Sequence, residues 1–353
     1  MVFRYLWPVT AIIMTVFAAY FHFADTDNNP VIFKGNKNIL FAYNINEKLL
    51  WELELPFNAE TVLSPHMNKK LYSVGDIDGD KKNEIILSPN TQDDVTDLCG
   101  MVICINYNGK ILWSWNEHKD VTFGTVTFSN NFYNKYIIIH DFNKDGIAEI
   151  LCCFTHRIWY PTKIIQFDKT GNILNTFYHS GHLDPRLIID IDKDGIDEFI
   201  TGGTNNEYNS PVMMVFKWPH FSGHAPQTNS GYIYRDTDFD YRPPWLYLLF
   251  PNSLNFLNSN DRGTVSNIFL LPDNSLYVSN SIAGAGPKVL YFFDKTFQVN
   301  SLSVNDVFHY TFRPGENSTA WDVINKEEFL DHMSKIKFWN GETWVDSFAV
   351  NER

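Results

Sequence analysis

The chain has 353 residues, 44% of them hydrophobic and 16% aromatic, which is ample material for a core and within reach of one large all-β domain. Its formal net charge of −13 argues against a nucleic-acid partner, which needs a basic face. Four cysteines, at 99, 104, 152 and 153, match no zinc-ligand spacing.

The N-terminal segment places Arg4 before a mostly apolar run over residues 5–23, followed by Asp25 and Asp27. Roughly 20 apolar residues suffice to cross a bilayer as a helix. The cation before the run and the acids after it orient the N-terminus inward. Residues 1–24 are therefore expected to form a signal-anchor or transmembrane helix, a cleaved signal peptide being the alternative. The remainder is expected outside the cytoplasm, in the periplasm or at the cell surface if anchored and secreted if cleaved.

From there on the pattern is repetitive. "NILFAYNINEKLLWE", "MVICINYNGKILWSW", "KIIQFDKTGNILNTF" and "KVLYFFDKTFQVNSL" each read as strand, polar turn, strand. They begin at Ile39, Val102, Ile164 and Val289, spaced by about 62 residues with the last gap about twice that, as in a repeat architecture with one degenerate unit. Two-residue alternation dominates residues 31–304, and only residues 325–339 read as helix. Repeated four-stranded sheets hide their edges by closing radially. The expected fold is all-β, a β-propeller of five to seven four-stranded blades over residues 30–353, preceded by one hydrophobic helix; an open solenoid is the competing architecture. Cys152 and Cys153 should point to opposite faces of one strand. A Cys99–Cys104 bridge and buried free thiols are both open.

Three acidic loops interrupt this pattern. "YSVGDIDGDKKNEIIL" supplies Asp76, Asp78, Asp80 and Glu84; "IIIHDFNKDGIAEILC" supplies Asp141, Asn143, Asp145 and Glu149; "IIDIDKDGIDEFI" supplies Asp190, Asp192, Asp194 and Glu198. Acids at positions 1, 3 and 5 of a tight loop converge on a point and repel one another unless a hard, oxygen-seeking cation sits there. The absence of His and Cys from the loops fits that choice. An EF-hand needs its Glu at position 12 between helices. Here position 12 is Leu87, Cys152 or Thr201, the last acid is at position 9, and the flanks are strand-like.

The repeated D-x-[DN]-x-D…E pattern within strand-loop-strand resembles the FG-GAP/VCBS-type repeats of integrin α-chain propellers and bacterial surface proteins. That resemblance implies a propeller with Ca²⁺ in about three loops. It assigns Asp76, Asp78, Asp80 and Glu84 as side-chain ligands of the first site, Asp141, Asn143, Asp145 and Glu149 of the second, and Asp190, Asp192, Asp194 and Glu198 of the third. The carbonyls of Lys82, Ile147 and Ile196 complete the three sets. Two departures from the family pattern follow: Lys81 replaces the glycine at position 6, with Gly79 two residues earlier, which implies a weaker first site, and the second loop, with Asn143, carries one charge fewer. The hairpins with tryptophan also resemble quinoprotein-type propeller strands, a likeness that bears on fold and not on cofactor. In "YRDTDFDYRPPW", Asp236, Asp238 and Asp240 leave a structural loop, a decayed fourth site and a ligand contact all open.

Eleven histidines are scattered, and neither a Gly-x-Ser-x-Gly elbow, a His-Glu-x-x-His pair nor a phosphate loop occurs. Two functions follow. The first is a membrane-tethered or secreted Ca²⁺-stapled module that binds a protein or carbohydrate ligand, with no catalytic residues assigned. The second is a polysaccharide lyase or hydrolase, whose His, Arg, Tyr and acid cluster would come from residues 205–263.

Overall fold

The computed structural model describes residues 10–15, 25–65, 69–89, 98–116, 119–158, 161–219, 221–235, 242–253, 256, 262–281, 287–309 and 324–347. Among the described residues five sheets of three or more strands follow one another along the chain, each built on an antiparallel meander. The first joins β1 (Ile32–Asn36), β2 (Ile39–Tyr43) and β3 (Leu49–Glu54). The second joins β4 (Tyr72–Gly75), β5 (Glu84–Leu87), β6 (Val102–Ile105) and β7 (Ile111–Trp115). After a short ribbon of β8 (Val121–Phe123) and β9 (Val126–Phe128), the third joins β10 (Phe132–His140), β11 (Glu149–His156), β12 (Thr162–Phe167) and β13 (Ile173–His179).

The fourth sheet contains β14 (Leu183–Ile189), β15 (Glu198–Asn205) and β16 (Ser210–Phe216). The chain then sends β17 (Gly223–His224) parallel to β13 before β18 (Leu246–Leu249) completes the meander. The fifth joins β19 (Thr264–Leu270), β20 (Leu276–Ser281), β21 (Lys288–Phe293) and β22 (Val299–Val304). Finally β23 (Lys337–Trp339) and β24 (Trp344–Val345) return to the fourth sheet beside β18. The degenerate unit is thus the fourth sheet, whose last hairpin is stretched by the excursion through β17.

The unbroken apolar runs explain the packing. A strand alternates its side chains, so a run such as "EILCCFTH" feeds both faces at once. Ile150, Cys152 and Phe154 enter the core between the second and third sheets, while Leu151 and Cys153 enter the core between the third and fourth. Likewise Val212 and Met214 face the third sheet, and Met213 and Val215 face the fifth. Among the described residues four cores therefore separate these five sheets, stacked in chain order. Cys152 and Cys153 diverge as expected, and all four cysteines are buried free thiols.

The hairpin repeat has a physical cause. Trp51 on β3 donates its Nε1–H to the carbonyl of Tyr107, in the turn of the next sheet, at 2.8 Å. Sixty-two residues on, Trp113 on β7 donates to the carbonyl of Lys169 at 3.0 Å. Each indole lies flat on the glycine of that turn: a Cβ added at Gly109 would sit 2.9 Å from Trp51, and one at Gly171 2.7 Å from Trp113. Both glycines have positive φ, so only glycine gives the turn and the room together.

Two elements differ from the sequence expectation. Residues 325–339 split into a helix, Lys326–Met333, and strand β23. Asn325 caps the helix by accepting from the N–H groups of Glu327 and Glu328, and beyond the Ser334 cap Phe338 pairs with Leu248 in the fourth sheet. A short helix, Ala59–Leu63, capped by Asn58, was not legible. Of the expected N-terminal span only residues 10–15 are described, and they are helical; the rest of residues 1–24 lies outside the described residues. Among the described residues no helix is long and apolar enough to cross a membrane.

Candidate metal centres

Each acidic loop joins the first two strands of its sheet: β4 to β5, β10 to β11 and β14 to β15. The three are built alike. The carboxylate at position 1 accepts from the N–H at position 6: Lys81 to Asp76 at 2.8 Å, Gly146 to Asp141 at 2.8 Å, Gly195 to Asp190 at 3.0 Å. The side chain at position 5 accepts from the N–H at position 7, which turns the Lys82, Ile147 and Ile196 peptides into register. The Glu at position 9 accepts from the N–H at position 2: Ile77 to Glu84, Phe142 to Glu149, Ile191 to Glu198.

Positions 4 and 6 take left-handed backbone in every loop. Gly79 and Lys81 have φ of 85° and 67°, Lys144 and Gly146 57° and 88°, Lys193 and Gly195 65° and 95°. Glycine and lysine exchange places in the first loop, and the curl is kept. One non-glycine left-handed residue, at about 1 kcal/mol, is therefore common to all three loops and does not single out the first.

The side chains are less uniform. Asp76, Asp78 and Glu84 bring ligand oxygens within 4.8 Å of one another, as do Asp190, Asp192 and Asp194. The second loop forms no such group of three acids, and its Asn143 amide donates to Asp145 at 2.9 Å. Glu84, Glu149 and Glu198 are 2%, 8% and 0% exposed, and burial, reinforced by the neighbouring Asp charges, pushes each carboxyl up to about 7. Glu198 Oε1 and Asp190 Oδ1 are buried with no hydrogen-bond partner. Buried polar oxygens normally find a partner, and an oxygen-only set with two orphaned acceptors fits a hard cation. In the third loop the Lys217 ammonium contacts Asp192, lies 3.8 Å from Asp194, and sits over the Trp245 ring at 4.6 Å. An incoming cation there displaces a lysine.

A different cluster was not legible from spacing. Asp184 on β14 accepts from Lys135 on β10 and, at 3.2 Å, from Arg186; His182 lies 3.1 Å from the same carboxylate. Arg186 also donates to the Val265 carbonyl of β19 at 2.8 Å, so the network ties the first strands of three successive sheets. Burial alone would raise the Asp184 carboxyl, but the His182 bond and the Lys135 and Arg186 charges hold it well below the usual range. These partners lie almost 50 residues apart, and no short motif announces them. His179, fully buried nearby, is lowered to about 4 by burial, partly opposed by the Gly181 backbone. Of the segment from which the expected cluster would come, residues 220, 236–241, 254–255 and 257–261 lie outside the described residues, Asp236, Asp238 and Asp240 among them.

Residues 35–145 match a family model described as the lambda-carrageenase β-propeller domain, about a third of the chain. The match runs from the end of β1 through the second sheet, the first acidic loop and β10, and into the second acidic loop. No curated protein matches the chain. Among solved structures it is similar to the Dos1 propeller, at 10% identity over 78% of this chain and 68% of that one, with a TM-score of 0.36. It is also similar to the C-terminal domain of Pseudomonas aeruginosa PilY1, at 9% identity over 90% and 92%, with a TM-score of 0.34. The all-β sheet succession and the family match together support a β-propeller with acidic, metal-competent loops.

Proposed function

We propose that the protein is an extracytoplasmic calcium-binding β-propeller that serves as a protein- or glycan-binding module, held at the membrane by residues 1–24. The observation that carries this reading is the threefold loop design, in which a buried Glu closes each acidic curl and, in the third loop, oxygens are left without partners. In it Ca²⁺ staples the first two strands of three sheets, and the FG-GAP/VCBS-type ligand sets apply residue by residue. The test is thermal unfolding of the full chain in detergent, in chelator and then in millimolar Ca²⁺ or Mg²⁺. A cation at 100 times its dissociation constant adds about 2.7 kcal/mol per site, so Ca²⁺ should raise the midpoint clearly and Mg²⁺ little. An unchanged midpoint removes the ion staple.

A second reading, a polysaccharide lyase or hydrolase, is favoured by the carrageenase description of the matching family and by the Lys135–His182–Asp184–Arg186 network. New reducing ends or unsaturated products from a polysaccharide, lost on Lys135→Met, would support it; products that survive that change would not.

A further inference from the structure

The eighth residue of an acidic loop lies between the position-7 carbonyl and the closing Glu, and in two of the three loops it is gripped by the segment before it. In the third loop this residue is Asp197. Its N–H donates to the Phe142 carbonyl at 2.9 Å. One carboxylate oxygen lies 2.7 Å from His140 Nε2, and the other accepts from Lys144 at 3.1 Å. Phe142 and Lys144 belong to the second acidic loop, and His140 immediately precedes it. Phe142 is itself tied to that loop's closing acid, its N–H donating to Glu149 at 3.2 Å. In the first loop the eighth residue is Asn83, whose N–H donates to Asn29 Oδ1 at 2.7 Å and whose amide donates to the Pro30 carbonyl at 2.9 Å. The second loop has Ala148 there, with no polar side chain to hold.

The grip acts on ligand atoms through the peptide plane. The Asp197 N–H and the Ile196 carbonyl belong to one planar trans unit and point opposite ways. Anchoring the N–H on Phe142 therefore fixes the direction of that carbonyl, and holding both carboxylate oxygens fixes the chain where it enters Glu198. A second contact runs beside the first: the Phe142 ring stacks on Trp218 at 5.5 Å between centroids, and the neighbouring Lys217 reaches Asp192 of the third loop. Glu198, 0% exposed with Oε1 unpartnered, is the group this arrangement delivers to a cation. A rigid ligand set binds more tightly, since less ordering is left to the ion.

We propose that His140 and Lys144 of the second loop are positioning residues for the third cation site, holding Asp197 so that the Ile196 carbonyl and Glu198 stand ready for the ion. The inference rests on the calcium reading of the third loop, for which it names what sets the affinity. Charge alone predicts the opposite sign. Lys144 is a cation bonded to the residue between two ligands, so if it acted only through its field its removal would tighten Ca²⁺. Positioning predicts that the same removal weakens Ca²⁺, and that a longer cation able to make the same bond restores it.

The experiment is calorimetric titration of the full chain in detergent with Ca²⁺, for wild type, Lys144→Met, Lys144→Arg, His140→Gln and Asn29→Ala, and for Lys144→Met in a Glu198→Gln background. Lys144→Met and His140→Gln should each weaken one bound ion by about tenfold, the usual loss when the outer partner of a metal ligand is removed. Lys144→Arg should restore it, Asn29→Ala should leave that ion alone, and in the Glu198→Gln background Lys144→Met should weaken nothing. Unchanged or tighter binding in Lys144→Met, a weakening that persists without Glu198, or one that arginine does not restore overturns the proposal and leaves the calcium reading standing. The Lys144 side chain is 53% exposed, so the variant should fold. An unfolding midpoint that falls as far in chelator as in Ca²⁺ would show that Lys144 holds the fold and not the site, which also overturns the proposal. Absence of any Ca²⁺ binding in wild type removes the calcium reading and this inference with it.

Discussion

Replacing Gly171 by alanine separates two costs that usually travel together. Gly171 and Gly146 have nearly the same backbone, with φ of 86° and 88°, so alanine at either costs about 1 kcal/mol for a left-handed side chain. Their surroundings differ. Nothing lies within 4 Å of a Cβ at Gly146, whereas a Cβ at Gly171 meets Trp113 at 2.7 Å. The indole cannot yield cheaply. It donates to Lys169 at 3.0 Å and stacks on Phe167 at 5.7 Å, contacts worth about 1 kcal/mol each. Gly171→Ala should therefore cost about 3 kcal/mol and Gly146→Ala about 1 kcal/mol. Urea unfolding in chelator reads the difference as a shift of midpoint at constant slope, and Trp113→Ala should abolish most of it. Equal losses, within about 0.5 kcal/mol, would show that the indole does not hold the two sheets together.

Glu198→Gln should change sign with calcium. In chelator at pH 8 the wild-type carboxyl, raised to about 7, is charged and buried, so the neutral amide is the more stable; in Ca²⁺ the variant should lose that site's share of the midpoint rise. The same sign in both buffers would refute a ligand role. His179 gives a pH dependence. Its folded value, about 4, lies below the unfolded 6.5, so its contribution is full above about 6.5 and is lost as pH falls through 4. The shift is worth about 3 kcal/mol. Chelator-buffered unfolding of wild type and His179→Gln should converge in relative stability across that window; parallel profiles would contradict it.

Much of the sheet order was legible because it depends on local chemistry. The hairpin starts at Ile39, Val102 and Val289 fall in β2, β6 and β21, and the turn glycines at 109 and 171 are those against which the tryptophans pack. What stayed hidden depends on partners distant in sequence. Ile336 and Phe338 continue an apolar pattern that reads as helix, and it is pairing with Leu248 and Leu249 on one side and with β24 on the other that makes a strand of their segment. Helix Ala59–Leu63 is too short to show a period. The Lys135–Asp184 pair joins two strands 49 residues apart in sequence, a pattern with no counterpart in any spacing rule.

The acidic loops show where a motif stops being informative. Lys81 in place of glycine pointed to a weak first site, yet the backbone absorbs the exchange with Gly79 and the first loop still gathers three carboxylates. The second loop differs more: the charge it lacks at Asn143 is already visible in the sequence, and the structure adds that the Asn143 amide holds Asp145. Ligand charge count tunes affinity for Ca²⁺, so the second site should be the weakest of the three. Asn143→Asp should strengthen it on the order of tenfold and, in chelator, slightly destabilise the protein, because two like charges replace a hydrogen bond. Lys81→Gly should change Ca²⁺ affinity little. Calorimetric titration of the three chains decides it: a larger gain from Lys81→Gly than from Asn143→Asp would mean that backbone strain, not ligand charge, ranks the sites.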